Sequence, residues 1–138
     1  MSVERLMSRP VVTVELDDDL QEVKRLFESS GFHHLVVVEK KRLVGVVSDR
    51  DLLRAISPYL GTAAESARDL ATLNKRVHQI MTRKVHTVPL SATIHDVVEK
   101  LMAHRISCVP VVDDNHRPVG ILTWRDILRE LSRVRRAR

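Results

Sequence analysis

A mixed α/β fold made from two copies of one β-α-β-β-α unit is the architecture that this 138-residue chain predicts. Three observations carry that expectation. Apolar residues make up 43% of the chain but aromatic ones only 3%, so the core must be built from Val, Leu and Ile. Short apolar runs alternate with stretches whose apolar residues recur at helical spacing. Above all, the chain repeats itself. "MSRPVVTVELDDDLQEVKRLF" from Met7 lies over "MTRKVHTVPLSATIHDVVEKL" from Met81. "HLVVVEKKRLVGVVSDRDLLR" from His34 lies over "CVPVVDDNHRPVGILTWRDILR" from Cys108, with one extra residue in the second copy.

Each unit opens with a short β-rich piece, residues 11–14 and 85–88. An amphipathic helix follows, with Leu20, Val23, Leu26 and Phe27 on one face and Ile94, Val97, Val98 and Leu101 on the other copy's. Asp19 with Glu22, and Thr93 with Asp96, stand at capping-box spacing and mark both helix starts. Two apolar strands come next, 35–38 and 43–47 in one copy, 108–112 and 119–122 in the other. The polar turns "EKKR" and "DDNHRP" join them as hairpins. A second helix opens near Asp49 and near Trp124. Between the copies, "SPYLGTAAESARDLATLNKRVHQI" begins with breakers at Pro58 and Gly61, then sets Leu70, Leu73, Val77 and Ile80 on one stripe. That predicts a linker helix packed on the pair. The expected divisions are 1–58 for the first repeat, 59–80 for the linker helix and 81–138 for the second repeat with its basic helix end. A unit of about fifty residues with one small sheet buries its apolar face poorly alone. Two units packed sheet to sheet bury it, which predicts a pseudo-twofold pair with two clefts between the repeats.

Several function classes are disfavoured. The longest apolar runs, such as Leu35 to Val38 and Cys108 to Val112, are far too short to cross a bilayer. The N-terminal "MSVERLMSRP" has no apolar signal region, and Cys108 is the only cysteine, so a cytoplasmic location is expected. The net charge of +5 owes much to Arg133, Arg135, Arg136 and Arg138. Cations there complement a helix C-terminus. Nucleic-acid binding through this tail is a rival reading, but it lacks interleaved aromatic residues for base stacking. No nucleophile with a positioned base and no glycine-rich phosphate loop is visible, so neither catalysis nor a catalytic cofactor is expected. Histidines 78, 86, 95, 104 and 116 lack the spacing of a zinc site, and no metal is expected. Cys108 reads as a small core residue.

The chemistry gathers at the strand-to-helix junctions. Gly-apolar-apolar-Ser/Thr-x-x-Asp occurs twice, as Gly45-Ser48-Asp51 and Gly120-Thr123-Asp126. Ser48 and Thr123 fall where a strand becomes a helix, which leaves neighbouring backbone N–H groups to receive an anion. Asp51 and Asp126 stand where a carboxylate accepts hydrogen bonds from the adjacent hydroxyls of a ribose. Arg50 and Arg125 are suited to phosphate oxygens. The same spacings are capping boxes with Asp in place of Glu, and the two roles are compatible. Asp49, replaced by Trp124 in the second copy, reads as a solvated helix-start residue.

Taken with the duplication, this motif resembles the cystathionine β-synthase (CBS) domain, whose paired form is the Bateman module. The likeness covers nearly the whole chain. It implies a stand-alone pair of tandem CBS domains acting as a non-catalytic sensor. It also implies an adenine nucleotide ligand such as AMP, ADP or ATP, or S-adenosylmethionine, held by ribose and phosphate at these positions. A homodimer and an effector protein on another chain follow from the same resemblance. A ligand-free interaction scaffold is the other reading left open.

"GFHHLVVV" resembles the "x-His-basic-Leu-Val-Val-Val" stretch of the gamma subunits of AMP-activated protein kinase, which implies phosphate contact by His33, His34 or both. Ser107 and Cys108 take their places in the second copy, and Ser107 joins the candidate set. Neighbours on a strand point to opposite faces, so at most one histidine is expected to be buried. Phosphate beside a histidine favours the imidazolium, so affinity should fall as pH rises through its pKa. Thr13 and Thr87 occupy the Thr-Val position whose backbone faces the base in the family, and Phe32 and Ile106 offer apolar walls to it. Simple packing accounts for all four equally well. Val36 stands in the first copy where Pro110 stands in the second, which bears on whether the two clefts are equivalent.

Overall fold

A computed structural model describes residues 2–136, so Arg138 of the basic tail lies outside the described residues. The element order is α1 (Val3–Leu6), β1 (Thr13–Glu15), α2 (Leu20–Ser30), β2 (His34–Glu39), β3 (Arg42–Ser48) and α3 (Asp49–Ala55). It continues through α4 (Ala67–Ala71), a 3-10 turn (Thr72–Asn74) and α5 (Val77–Ile80). The second repeat supplies β4 (Val88–Pro89), α6 (Ile94–His104), β5 (Cys108–Val112), β6 (Pro118–Thr123) and α7 (Trp124–Arg136). Each repeat is therefore β-α-β-β-α, a mixed α+β unit with one three-stranded sheet, in the order β1-β2-β3 or β4-β5-β6. The first strand of each sheet runs parallel to the second, and β5 pairs antiparallel with β6. Lys40 and Lys41, between β2 and β3, both have positive φ, the signature of the tight turns that suit a hairpin. Among the described residues no helix is long and apolar enough to cross a membrane.

Two compact units result. One comprises residues 12–40 and 44–84; the other comprises the residues up to 11, 41–43, and those from 85 onward. Each has its own aliphatic core. In the first, Val14, Leu20, Val23, Leu35, Val37, Val47 and Leu52 cluster. In the second, Val88, Val97, Leu101, Val109, Val111, Leu122 and Ile127 do so. Helical apolar spacing points to Leu20, Val23, Val97 and Leu101, and the apolar runs point to the strand residues among these. The units also divide the chain differently from its repeats. Val3 of α1 and Met7 fill the core built around the second repeat, whereas Val77 of α5 and Met81 fill the core built around the first. The segment leading into each repeat thus belongs with the other one.

These lead-in segments explain the motif glycines. The N–H and C=O of Thr82 exchange hydrogen bonds with Val46, at 2.9 and 3.0 Å. Ser8 does the same with Ile121, at 2.9 and 3.2 Å. A Cβ on Gly45 would lie 2.8 Å from Met81 Sδ and 2.9 Å from the Thr82 carbonyl oxygen. One on Gly120 would lie 2.6 Å from Met7 Cγ. Glycine is what lets a second backbone lie so close to the strand at Gly45, and what leaves room for the Met7 side chain at Gly120.

Two expectations change. The linker is not one helix: Ser66 caps a new start at Ala67 through a reciprocal box with Asp69, and the extended residues Lys75 and Arg76 separate the 3-10 turn from α5. Of the expected stripe, Val77 is fully buried but Leu70 is 50% exposed. The opening strands also start later than residues 11 and 85, and they differ between the repeats. In the first, the Val36 N–H donates to the Val12 carbonyl at 3.2 Å, and Thr13 pairs with Val36. In the second, Pro110 takes the place of Val36 and has no N–H to donate. β4 accordingly begins only at Val88, and Thr87 falls outside it.

Candidate functional site

In the first repeat, β3 delivers Ser48 to the start of α3 and β2 delivers His34 beside it. The Asp51 N–H donates to Ser48 Oγ at 3.1 Å, and the Ser48 N–H donates back to Asp51 Oδ2 at 2.8 Å. The Asp49 N–H donates to the His33 carbonyl at 3.0 Å, which ties the start of β2 to the start of α3. His33 Nδ1 and Asp49 Oδ2 share a further hydrogen bond of 2.8 Å between partly exposed side chains. His33 is exposed and His34 half-buried, as opposite faces of a strand require. Burial pushes the His34 pKa down, and the neighbouring carboxylates of Asp49 and Asp51 oppose that shift. Arg50 is exposed and forms no ion pair with a described residue.

The second repeat repeats this plan with different chemistry. Thr123 N–H donates to Asp126 Oδ2 at 2.9 Å and Thr123 Oγ1 lies 3.2 Å from the same oxygen. The Trp124 N–H reaches the Ser107 carbonyl at 3.4 Å. Asp126 is only 7% exposed, and its Oδ1 faces Ser8 Oγ at 3.4 Å and Arg129 Nη1 at 3.6 Å. Arg125 and Ser107 are exposed, while Cys108 is buried with its thiol pKa pushed up to about 12 by desolvation.

Both capping boxes are complete, and they take up part of the set of amides expected to be open to an anion. The N–H groups of Ser48, Asp49 and Asp51, and those of Thr123, Trp124 and Asp126, all have acceptors within their own units. The N–H groups of Arg50 and Arg125 have no acceptor among the described residues. The expectation for Asp49 is corrected, since it holds His33 instead of standing alone in solvent. Among the flanking candidates, Thr13 is exposed on β1, Thr87 half-buried, and Phe32 43% exposed. Ile106 packs against the second core. Two further groups escaped the sequence reading. Ser8 reaches Asp126 from far along the chain. His86, beside Thr87, stacks on His104 with ring centroids 3.5 Å apart.

Comparison with known proteins places this geometry. The uncharacterized protein MJ1426 of Methanocaldococcus jannaschii is 32% identical over 154 aligned residues, covering 95% of this chain and 91% of that protein. Of two other curated relatives the chain spans less than half the length, 46% of one and 22% of the other. The crystal structure of the CBS domain pair of protein MJ0100 in complex with 5'-methylthioadenosine and S-adenosyl-L-methionine superposes with a TM-score of 0.79, 30% identity and 96% coverage of both chains. The cytosolic domain of the Mg2+ channel MgtE in complex with ATP superposes with a TM-score of 0.75 and 27% identity, over 94% of this chain and 48% of that one. The CBS domain family model matches residues 3–58 and 77–133, one match to each repeat, and the chain belongs to that family.

Proposed function

We propose that the chain is a cytoplasmic, non-catalytic sensor that binds an adenine nucleotide, AMP, ADP or ATP, or S-adenosylmethionine, and passes a change of conformation to an effector protein. One observation carries the reading. His33, His34, Ser48, Asp49 and Asp51 are gathered where β2 and α3 begin, beside the exposed Arg50. Imidazole and guanidinium suit phosphate or a carboxylate, and the Asp51 carboxylate suits the two hydroxyls of a ribose. Ligands named with the CBS pair of MJ0100 and with MgtE share the adenosine part that such a carboxylate would hold. Coupling to an effector requires that the ligand bind one conformation better than another. Pairing as a homodimer belongs to the same proposal.

The test is a thermal-shift panel with AMP, ADP, ATP and S-adenosylmethionine. A ligand bound only by the native state stabilises it by about 2.7 kcal/mol at a hundredfold excess over Kd, so at least one compound should raise the melting temperature saturably. A flat panel would leave the interaction scaffold as the better reading.

A further inference from the structure

We infer that the two junctions are not equivalent: the first repeat takes the ligand, and the second is closed internally by Ser8 and Arg129 acting on Asp126. This rests on the nucleotide reading above and sharpens it to one site per chain.

The two carboxylates are in opposite states. Asp51 is half-buried and uses Oδ2 for its own cap, which leaves Oδ1 with no hydrogen bond to a described residue. Asp126 is the one buried charged residue among those described, and both of its oxygens are engaged. Oδ2 takes the Thr123 N–H and lies 3.2 Å from its hydroxyl, while Oδ1 faces the Ser8 hydroxyl and the Arg129 guanidinium. Ser8 cannot drift away freely, because its backbone is fixed to Ile121 by two hydrogen bonds. Thr82, its counterpart in the other unit, is fixed to Val46 in the same manner but makes no bond to Asp51, and Arg54, counterpart of Arg129, makes no ion pair with it. A ribose arriving at Asp126 would have to displace a hydroxyl and a cation from a carboxylate already removed from water. The Arg129 side chain is itself 63% exposed, so the cost lies with the buried carboxylate, for which losing a hydrogen-bond partner is more expensive than for a half-solvated one.

Independent differences point the same way. Pro110 cannot make the counterpart of the Val36 N–H bond that accompanies the pairing of Thr13 in the first repeat, and Thr87 lies outside β4. The imidazoles of His33 and His34 are replaced by the hydroxyl of Ser107 and the buried, uncharged thiol of Cys108.

Calorimetric titration of the full chain with ATP, AMP and S-adenosylmethionine tests the inference, paired with amide hydrogen exchange in the presence of whichever binds. The expected result is one equivalent per chain, slowed exchange at residues 48–51 and unchanged exchange at 123–126. Asp51→Asn should weaken binding about tenfold or more, the scale of one charge-assisted hydrogen bond. If that variant fails to fold, Arg50→Gln, which alters an exposed side chain outside the cap, should weaken a phosphate-bearing ligand about tenfold. Two equivalents, protection at 123–126, or unaltered affinity in both variants overturns the inference while leaving a nucleotide sensor standing. Absence of binding by every compound overturns the nucleotide reading itself, and this inference with it.

Discussion

Replacing Gly45 by Ala probes a close approach of two backbone segments. The added Cβ would sit 2.8 Å from Met81 Sδ and 2.9 Å from the Thr82 carbonyl oxygen. A thioether at the end of a flexible side chain can move, but the Thr82 carbonyl is bonded to the Val46 N–H at 3.0 Å and its own N–H to the Val46 carbonyl. Relieving the overlap means overpacking strain of about 1–3 kcal/mol, together with the weakening of two hydrogen bonds worth about 1 kcal/mol each. Ala also restricts the unfolded chain, which returns about 0.4–1 kcal/mol. Strain wins, and the net loss is about 2–4 kcal/mol. At about 2.1 cal/mol/K of unfolding entropy per residue, a chain of this length loses roughly 7–14 °C in melting temperature. Calorimetry on the purified variant reads this directly. Gly31→Ala is the control: its φ of 72° makes Ala unfavourable, but nothing lies within 4 Å of the added carbon. It should cost about 1–2 kcal/mol. A second arm separates backbone from side-chain overlap. The contacts of a Cβ on Gly120 are all with the Met7 side chain, so Met7→Ala should partly rescue Gly120→Ala, whereas Met81→Ala should not rescue Gly45→Ala. A Gly45→Ala protein that melts within 2 °C of the native one, about half a kilocalorie, would refute the reasoning.

Two further outcomes are expected. His34 has a folded-state pKa below its ordinary 6.5 because burial disfavours the imidazolium, so the unfolded chain binds more protons there. Its contribution is fully present above pH 6.5 and is lost as pH falls through 6.5 toward the folded value. His34→Gln should therefore lose less stability than the native protein between pH 7.5 and 5.5, and an identical loss in urea titrations would contradict this. Cys108, with its thiol pushed up to about 12 and its side chain buried, should react with a thiol-specific disulfide reagent only in denaturant. Rapid labelling of the native protein would show that β5 opens readily.

The architecture was legible wherever one local rule decided the outcome. Thr93 with Asp96 and Ser48 with Asp51 announced helix starts, and both close reciprocal capping boxes in the fold. The same signature, Ser66 with Asp69, stands in the linker, where it competes with the leucine stripe. It marks where that segment breaks. Contacts set by tertiary structure left weaker traces. Nothing in the spacing of His33 and Asp49 announces their hydrogen bond, because it depends on β2 ending its loop beside the start of α3. Ser8 and Asp126 stand almost a chain length apart, and only the placement of Ser8 against Ile121 brings them together. The duplicated glycines were visible as a pattern, but the pattern does not name Met7 and Met81 as the neighbours that require them.

The exchange of lead-in segments makes the pair hard to divide. Cutting the linker would leave the first half without Val77 and Met81, which complete its core, while carrying Val3 and Met7, which complete the other. Neither half would then be a finished hydrophobic body. The same connectivity joins the two junctions covalently. Ser8 rests on the Asp126 carboxylate, and a few residues later Thr13 opens the strand that supports the first junction. A short stretch of peptide therefore joins the residue that rests on one junction's carboxylate to the strand that supports the other junction.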